Sequence, residues 1–278
     1  MALVNFNFFS ESMMRSVNVN AIIPVDDQPD GVCSYRDLTP FKTLYLLHGV
    51  HGGEYDWLTN TRVRRWAQAH RLAVILPAGE NRWYDDNVPG RNLMGQFVGD
   101  ELVRYTRTLF RLSPEREDTY VAGLSMGGIG AALTGLRYPE TFSRVGSFSG
   151  AFMTDPYPAD DSAEAFYAKR SYMEEFCGPE DQYRGGPNDY MTLAETVGRS
   201  GARLPEFYMS IGTEDPLLEL NRAFRDHLNG CGFDVTYVET PGAHEWDFWD
   251  QQIKKVLEWL PLGASDSGLG SGNVRIDG

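Results

Sequence analysis

Residues 119–138 narrow the folds open to this chain more than any other stretch. A short apolar run, Thr119-Tyr120-Val121-Ala122, leads into Gly123-Leu124-Ser125-Met126-Gly127, and Gly128–Tyr138 continues as a helix. A strand that turns sharply through a serine into a helix holds that serine in a strained backbone conformation. Side chains beside it would collide across the turn, and Gly123, Gly127 and Gly128 supply the missing space. Such a turn belongs at the carboxyl end of a strand in a mostly parallel sheet.

The rest of the chain repeats the strand–helix alternation. Short apolar runs occur at Thr43–Leu47, Ala73–Leu76, Val145–Phe148 and Phe207–Ile211. They lack a period of two, as strands do when both sheet faces are covered. Helical stripes are expected over Asp56–Ala69, Met94–Phe110, Pro216–Asn229 and Glu245–Leu260, with a last strand from Phe233 to Glu239. The N-terminus differs. Val4, Phe6 and Phe8 alternate with asparagines, as do Val17, Val19 and Ala21, which predicts an antiparallel strand pair. The expected architecture is α/β: a mostly parallel central sheet with helices on both faces and an antiparallel N-terminal pair. One domain spans 1–262. Residues 154–201 are polar, aromatic and broken by Pro and Gly, and read as a cap-like insertion with helical character over Ser162–Phe176. Residues 263–278, rich in Gly and Ser, read as a flexible tail.

A serine nucleophile needs a base at neutral pH. Of the five histidines, His70 and His227 fall on predicted helices, and His48 and His51 precede the serine. In a triad opened by such a turn the base comes last in the chain, which selects His244, in the loop before the final helix. The orienting carboxylate should follow the strand Phe207–Ile211. Asp215 fits, with Glu214 as its neighbour and competitor, and Asp215 followed by Pro216 could instead serve only as a helix cap. Oxyanion donors are expected from the N–H of Met126, after the nucleophile, and of Val50, in Leu47-His48-Gly49-Val50. Bulky residues expected to face the substrate are His51, Trp83, Tyr84 and Trp246. A metal reading of His48 and His51 is weak, because no third ligand is spaced near them and no HExxH occurs. No cofactor or metal is expected.

The net charge of −14 would repel a phosphate backbone, so nucleic acid is not an expected partner. No apolar run of about 18 residues predicts a membrane span, and no secretory leader pattern is visible. Cys33, Cys177 and Cys231 are odd in number and form no CxxC pair, which fits a reducing compartment and a cytoplasmic protein. A homo-oligomer, dimer or tetramer, is compatible with these features.

The motifs YLLHG, NRWYDD, AGLSMGG, SFSGA, GTEDPL and GFDVTY leading into HEW run from about Val4 to Leu260. Together they resemble the tributyrin esterase (EstA-type) group of the esterase D-like serine esterases, of the α/β-hydrolase fold. The resemblance puts a triad on Ser125, Asp215 and His244 and oxyanion donors on Val50 and Met126. It implies a cofactor-free carboxylesterase for a small-molecule ester with a short acyl or aryl group, including acetylated or feruloylated sugars. S-formylglutathione hydrolases and mycolyl transferases are more distant, and the cysteine that the former carry after the oxyanion loop is absent here. An acyltransferase using the same residues, or a silent binding protein on the same fold, would share this sequence pattern.

Overall fold

The two N-terminal strands, β1 (Ala2–Ser10) and β2 (Arg15–Ile23), pair antiparallel with Ala2 opposite Ile23. In β1 the alternation leaves Leu3, Asn5, Asn7 and Phe9 exposed while Phe8 is buried. The rest of this computed structural model follows the strand–helix alternation; it describes residues 1–25, 39–87, 92–153 and 157–263. The other strands are β3 (Thr43–Leu47), β4 (Ala73–Pro77), β5 (Asp86–Asn87), β6 (Asn92–Leu93), β7 (Thr119–Leu124), β8 (Arg144–Phe148), β9 (Glu206–Gly212) and β10 (Val235–Thr240). β5 and β6 form a small separate ladder. The main sheet has the order β1-β2-β4-β3-β7-β8-β9-β10. It is antiparallel from β1 through β4 and parallel from β4 to β10.

The helices are α1 (Asp56–Asn60), α2 (Val63–Ala69), α3 (Met94–Gln96), α4 (Leu102–Leu109), α5 (Met126–Arg137), α6 (Arg170–Cys177), α7 (Glu180–Tyr183), α8 (Tyr190–Arg199), α9 (Leu218–Gly230) and α10 (Trp246–Trp259). They cover both faces of the sheet. Tyr45 and Leu47 of β3 pack into a core with side chains of α4, α5, α8 and α9. Leu44 and Leu46 point the other way, into a second core with Trp57, Val63, Ile253 and Val256 of α1, α2 and α10. This two-sided burial is why the central strands carry no alternation. Each fully buried Leu, Ile or Phe contributes about 1.5–3 kcal/mol.

Four segments depart from expectation. The helix expected over 56–69 is two helices, because Asp250 of α10 accepts the backbone N–H of Arg62 at 2.7 Å and its Nε at 2.8 Å. That amide is lost to the helical ladder and the chain breaks there. The helix expected from Met94 runs to Leu109 with a π turn over Phe97–Glu101. Here Gly99 lies against the Tyr138 ring, so close that an added Cβ would sit 2.1 Å from it. The stretch 162–176 contains a short 3-10 turn, Phe166–Ala168, before α6. α8 lies within the span expected as an insertion, yet Tyr190, Ala194 and Val197 are buried in the main core with Phe152 and Phe224. The expected tail beyond Gly263 lies outside the described residues, as do Cys33 and residues 154–156.

No helix among the described residues is long and apolar enough to cross a membrane.

Candidate active site

The strand order reverses between β3 and β7: the chain goes from β3 outward to β4, then crosses to β7 on the other side. A crevice opens at the carboxyl ends of two such strands, where open α/β sheets bind ligands. Here the crevice lies between the loop after Leu47 and the turn after Leu124. Gly49 meets the Ser125 turn directly, since a Cβ on it would lie 2.7 Å from Leu124 Cδ1 and 3.4 Å from Ser125 Cβ.

Ser125 has φ 52° and ψ −117° and caps α5. The strain is held by backbone bonds on both sides. Ser125 donates its N–H to Phe148 at 2.9 Å, and its carbonyl accepts from Gly128 at 2.9 Å and Ala151 at 3.1 Å. The turn closes only because Gly123 and Gly127 lack side chains: a Cβ on Gly123 would sit 2.2 Å from the Gly127 carbonyl oxygen, and one on Gly127 2.6 Å from that of Leu47.

Three residues from three strand ends meet in one line. His244 Nε2 lies 3.1 Å from Ser125 Oγ, and Nδ1 lies 2.9 Å from Asp215 Oδ2. A carboxylate can only accept, so Nδ1 carries the proton and Nε2 is left to accept from the serine hydroxyl. The loops bearing Asp215 and His244 are laced together, Glu214 N–H donating to the Gly242 carbonyl at 3.0 Å. Asp215 is buried and Glu214 exposed, so only the former faces the imidazole. Asp215 also accepts at 2.9 Å from the N–H of Leu217, the residue just before α9, while holding the ring. Burial alone would raise the Asp215 carboxyl. Hydrogen bonds from His244, Leu217 N–H and Ser149 outweigh it and hold the group below its usual range.

Sequence reasoning missed Ser149 and Trp249. Ser149, one residue past β8, is fully buried with φ 48°. Its hydroxyl donates to Asp215 and accepts from Trp249 Nε1 at 3.1 Å. Trp249 also meets the His244 ring edge-on, centroids 4.9 Å apart. The signal available was position: Ser149 follows a parallel strand at the end that carries Ser125. Of the eight non-glycine residues with positive φ among the described residues, Ser125, Ser149, His51, Glu80, Trp83 and Tyr84 lie in loops at this end of the sheet. Strain of that kind concentrates at functional sites.

Among the described residues, neither Val50 N–H nor Met126 N–H donates a hydrogen bond. Both are therefore available donors. His51 is exposed, and its ring meets Phe166 and Tyr167 edge-on at 5.3 and 5.6 Å. Trp246 is half-buried and packs edge-on against Trp57 and Trp249 at 5.5 and 5.2 Å. Tyr84 and Trp83 depart from the expected substrate-facing role. Tyr84 is fully buried between Gly79 and Gly130, and its hydroxyl donates to the His48 carbonyl at 3.1 Å. It braces the loop from behind. Trp83 is buried in the main core. Aromatic rings at a strand end serve packing and binding equally well in sequence, and here packing takes both. No group of three or more His, Cys, Asp or Glu among the described residues could hold a metal ion.

Comparison with known proteins gives a consistent result. Residues 10–260 match a family described as "Putative esterase". An acetyl esterase from Caldicellulosiruptor saccharolyticus is 34% identical over 262 residues, 94% of this chain and 98% of the relative. Among solved structures, the Staphylococcus aureus fluorophosphonate-binding serine hydrolase FphF superposes with a TM-score of 0.81 at 27% identity, covering 93% of this chain and 98% of that one. The S-formylglutathione hydrolase FrmB from the same organism gives 0.77 at 26% identity, with 93% and 98% covered. The chain belongs to this esterase family, within the α/β-hydrolase superfamily.

Proposed function

We propose that this protein is a serine carboxylesterase that hydrolyses short-chain acyl or aryl esters through an acyl-enzyme intermediate, with Ser125 as nucleophile, His244 as base and Asp215 as its orienting partner. The observation that carries the reading is the continuous hydrogen-bonded line Ser125–His244–Asp215, built from three separate strand ends. Ser125 Oγ attacks the ester carbonyl carbon while its proton passes to His244 Nε2. Asp215 stabilises the imidazolium without taking its proton. The carbonyl oxygen becomes an oxyanion and accepts from Val50 and Met126 N–H. The tetrahedral intermediate collapses, the bond to the alcohol oxygen breaks, and His244 gives that oxygen its proton. Water then repeats the sequence on the acyl-serine and releases the acid. No cofactor is called for.

The acetyl esterase relative supports a small acyl group on a small-molecule ester. We retain His51 and Trp246 as substrate-facing residues, since each is accessible beside the triad. One domain with a cap-like insertion over 154–201 belongs to this reading. A cytoplasmic location is supported by the free thiols of Cys177 and Cys231.

The test is Ser125→Ala assayed on p-nitrophenyl acetate beside covalent labelling by a fluorophosphonate. Loss of roughly 10⁴-fold or more in kcat, with labelling abolished and the melting temperature kept, is expected. Near wild-type turnover in a folded Ser125→Ala protein would falsify the assignment.

A further inference from the structure

Both ring nitrogens of His48 are committed to backbone. Gly79 donates its N–H to Nε2 at 2.8 Å, which requires that nitrogen to be bare. The imidazole proton therefore sits on Nδ1, which donates to the Gly49 carbonyl at 2.7 Å. Gly52 N–H donates to the same carbonyl at 3.2 Å. The ring is 1% exposed, so it neither meets substrate nor keeps a lone pair for a metal. Burial holds it neutral by lowering its pKa.

The consequence lies in the geometry of one peptide. No cis peptide occurs among the described residues, so Val50 N–H points opposite to the Gly49 carbonyl. Fixing the carbonyl on the imidazole fixes the direction of that N–H. The following residue is gripped as well: His51 has φ 69°, and its N–H donates to Asn81 Oδ1 at 2.8 Å. Turned over, the same peptide would offer the Gly49 oxygen where an oxyanion must form. That state would also leave the buried Nδ1–H without an acceptor, a loss felt strongly away from water.

We propose that His48 is a positioning residue for the oxyanion hole, its Nδ1–H locking the Gly49–Val50 peptide in the orientation that presents Val50 N–H to the reacting carbonyl. The inference rests on the reading of Val50 as an oxyanion donor.

Two substitutions test it. His48→Asn places an amide N–H close to the former Nδ1, and His48→Leu keeps bulk without a donor. On p-nitrophenyl acetate the Leu variant should lose about 10²–10³-fold in kcat, the loss typical of one oxyanion donor, with KM changed by less than about threefold. The Asn variant should stay within about tenfold of wild type. Inhibition by a trifluoromethyl ketone, whose adduct on Ser125 bears the oxyanion, should weaken in step with kcat/KM. A folded Leu variant with wild-type kcat, or an Asn variant as impaired as the Leu one, overturns the proposal. Should the Leu variant not fold, the wild-type protein decides. Proton–nitrogen correlation spectra of the histidine rings should show His48 as the neutral Nδ1–H tautomer, and a proton found on Nε2 overturns the proposal. The parallel Ser125→Ala assay keeps the two readings apart. Activity surviving there removes the nucleophile assignment, whereas an inert Ser125→Ala beside a fully active His48→Leu removes only the role of His48.

Discussion

At the scale of single residues, adjacent carboxylates differ in consequence because only one is buried. Asp215 accepts from His244, Leu217 N–H and Ser149, and stays ionised below the usual carboxylate range, so it remains charged wherever the imidazole works. Asp215→Asn should lower kcat by as much as about 10⁴-fold, because an amide cannot hold the ring in the tautomer that leaves Nε2 bare. Glu214→Gln, at an exposed position, should change kcat by less than about twofold. Equal losses in the two variants would mean that the imidazole reads both carboxylates. Ser149 acts one step further back. A hydrogen bond to a charged group is worth about 1.5–3 kcal/mol, and each 1.36 kcal/mol is tenfold in rate. Ser149→Ala should therefore cost about 10-fold or more in kcat with KM little changed. An unaltered kcat in that variant would show that Asp215 is held well enough by Leu217 N–H and the ring.

At the scale of elements, the buried ion pair between Arg137 and Asp85 ties α5 to the segment that leads into β5. Arg137, in the last turn of α5, reaches Asp85 Oδ1 at 3.0 Å and the carbonyls of Tyr84 at 3.2 Å and Pro187 at 3.1 Å. Cys177 of α6 donates its thiol to Asp85 Oδ2 at 3.2 Å. Burial pushes Asp85 from its ordinary value of 3.8 up to about 6, with Arg137 and Cys177 opposing the rise. The folded protein thus binds a proton at Asp85 that the unfolded chain has already released between those two values. Stability contributed at this site is fully present below the unfolded pKa and is lost as pH rises through the folded one. Denaturant melts of wild type and Asp85→Asn should show the wild type losing stability relative to the variant as pH rises from 4 to about 6.5, with a constant difference above that. A difference that moves the opposite way would place the folded pKa of Asp85 below its ordinary value. This clamp was not legible in the sequence, and the reason is general. The central strands and the serine turn could be read because local spacing and glycine placement determine them. The break at Arg62 depends on Asp250, 188 residues away, and the partners of Ser149 and Arg137 are likewise set by packing between distant segments. α8 carries a helical stripe of Tyr190, Leu193, Ala194 and Val197 behind its cap Asp189, and was hidden only by the polar, Pro- and Gly-broken stretch around it. The meeting of Ser125, Asp215 and His244 was legible because chain order and strand ends constrain it, whereas the burial of Trp83 and Tyr84 was not, because an aromatic side chain has no directional signature in sequence.

At the scale of the whole molecule, the sheet divides the protein into two filled cores and leaves the chemistry at one edge. The side chains behind that edge are large and closed in. Trp57, Tyr84, Phe148 and Phe152 are each at most 1% exposed. An acyl chain running inward from Ser125 past these side chains would have to displace one of them, and interiors packed to crystal-like density do not yield such space cheaply. On the proposed short-acyl specificity, the acyl chain lies along the surface near His51 and Trp246. The first few carbons gain about 0.8 kcal/mol per buried CH₂, which is close to fourfold each in kcat/KM. Carbons beyond the covered stretch gain nothing from burial. They also tend to shift the carbonyl away from Val50 and Met126 N–H, where a displacement near 1 Å can cost about 10²-fold. The expected profile across p-nitrophenyl acetate, butyrate, octanoate and palmitate is a rise to acetyl or butyryl followed by a steep fall. Replacing Trp246 by Ala should flatten the fall if that ring bounds the chain, since it is the half-buried member of the α10 pair. A maximum at octanoate or beyond in the wild-type protein would mean that an acyl channel opens in the presence of substrate, and that the aromatic residues around the triad give way to it.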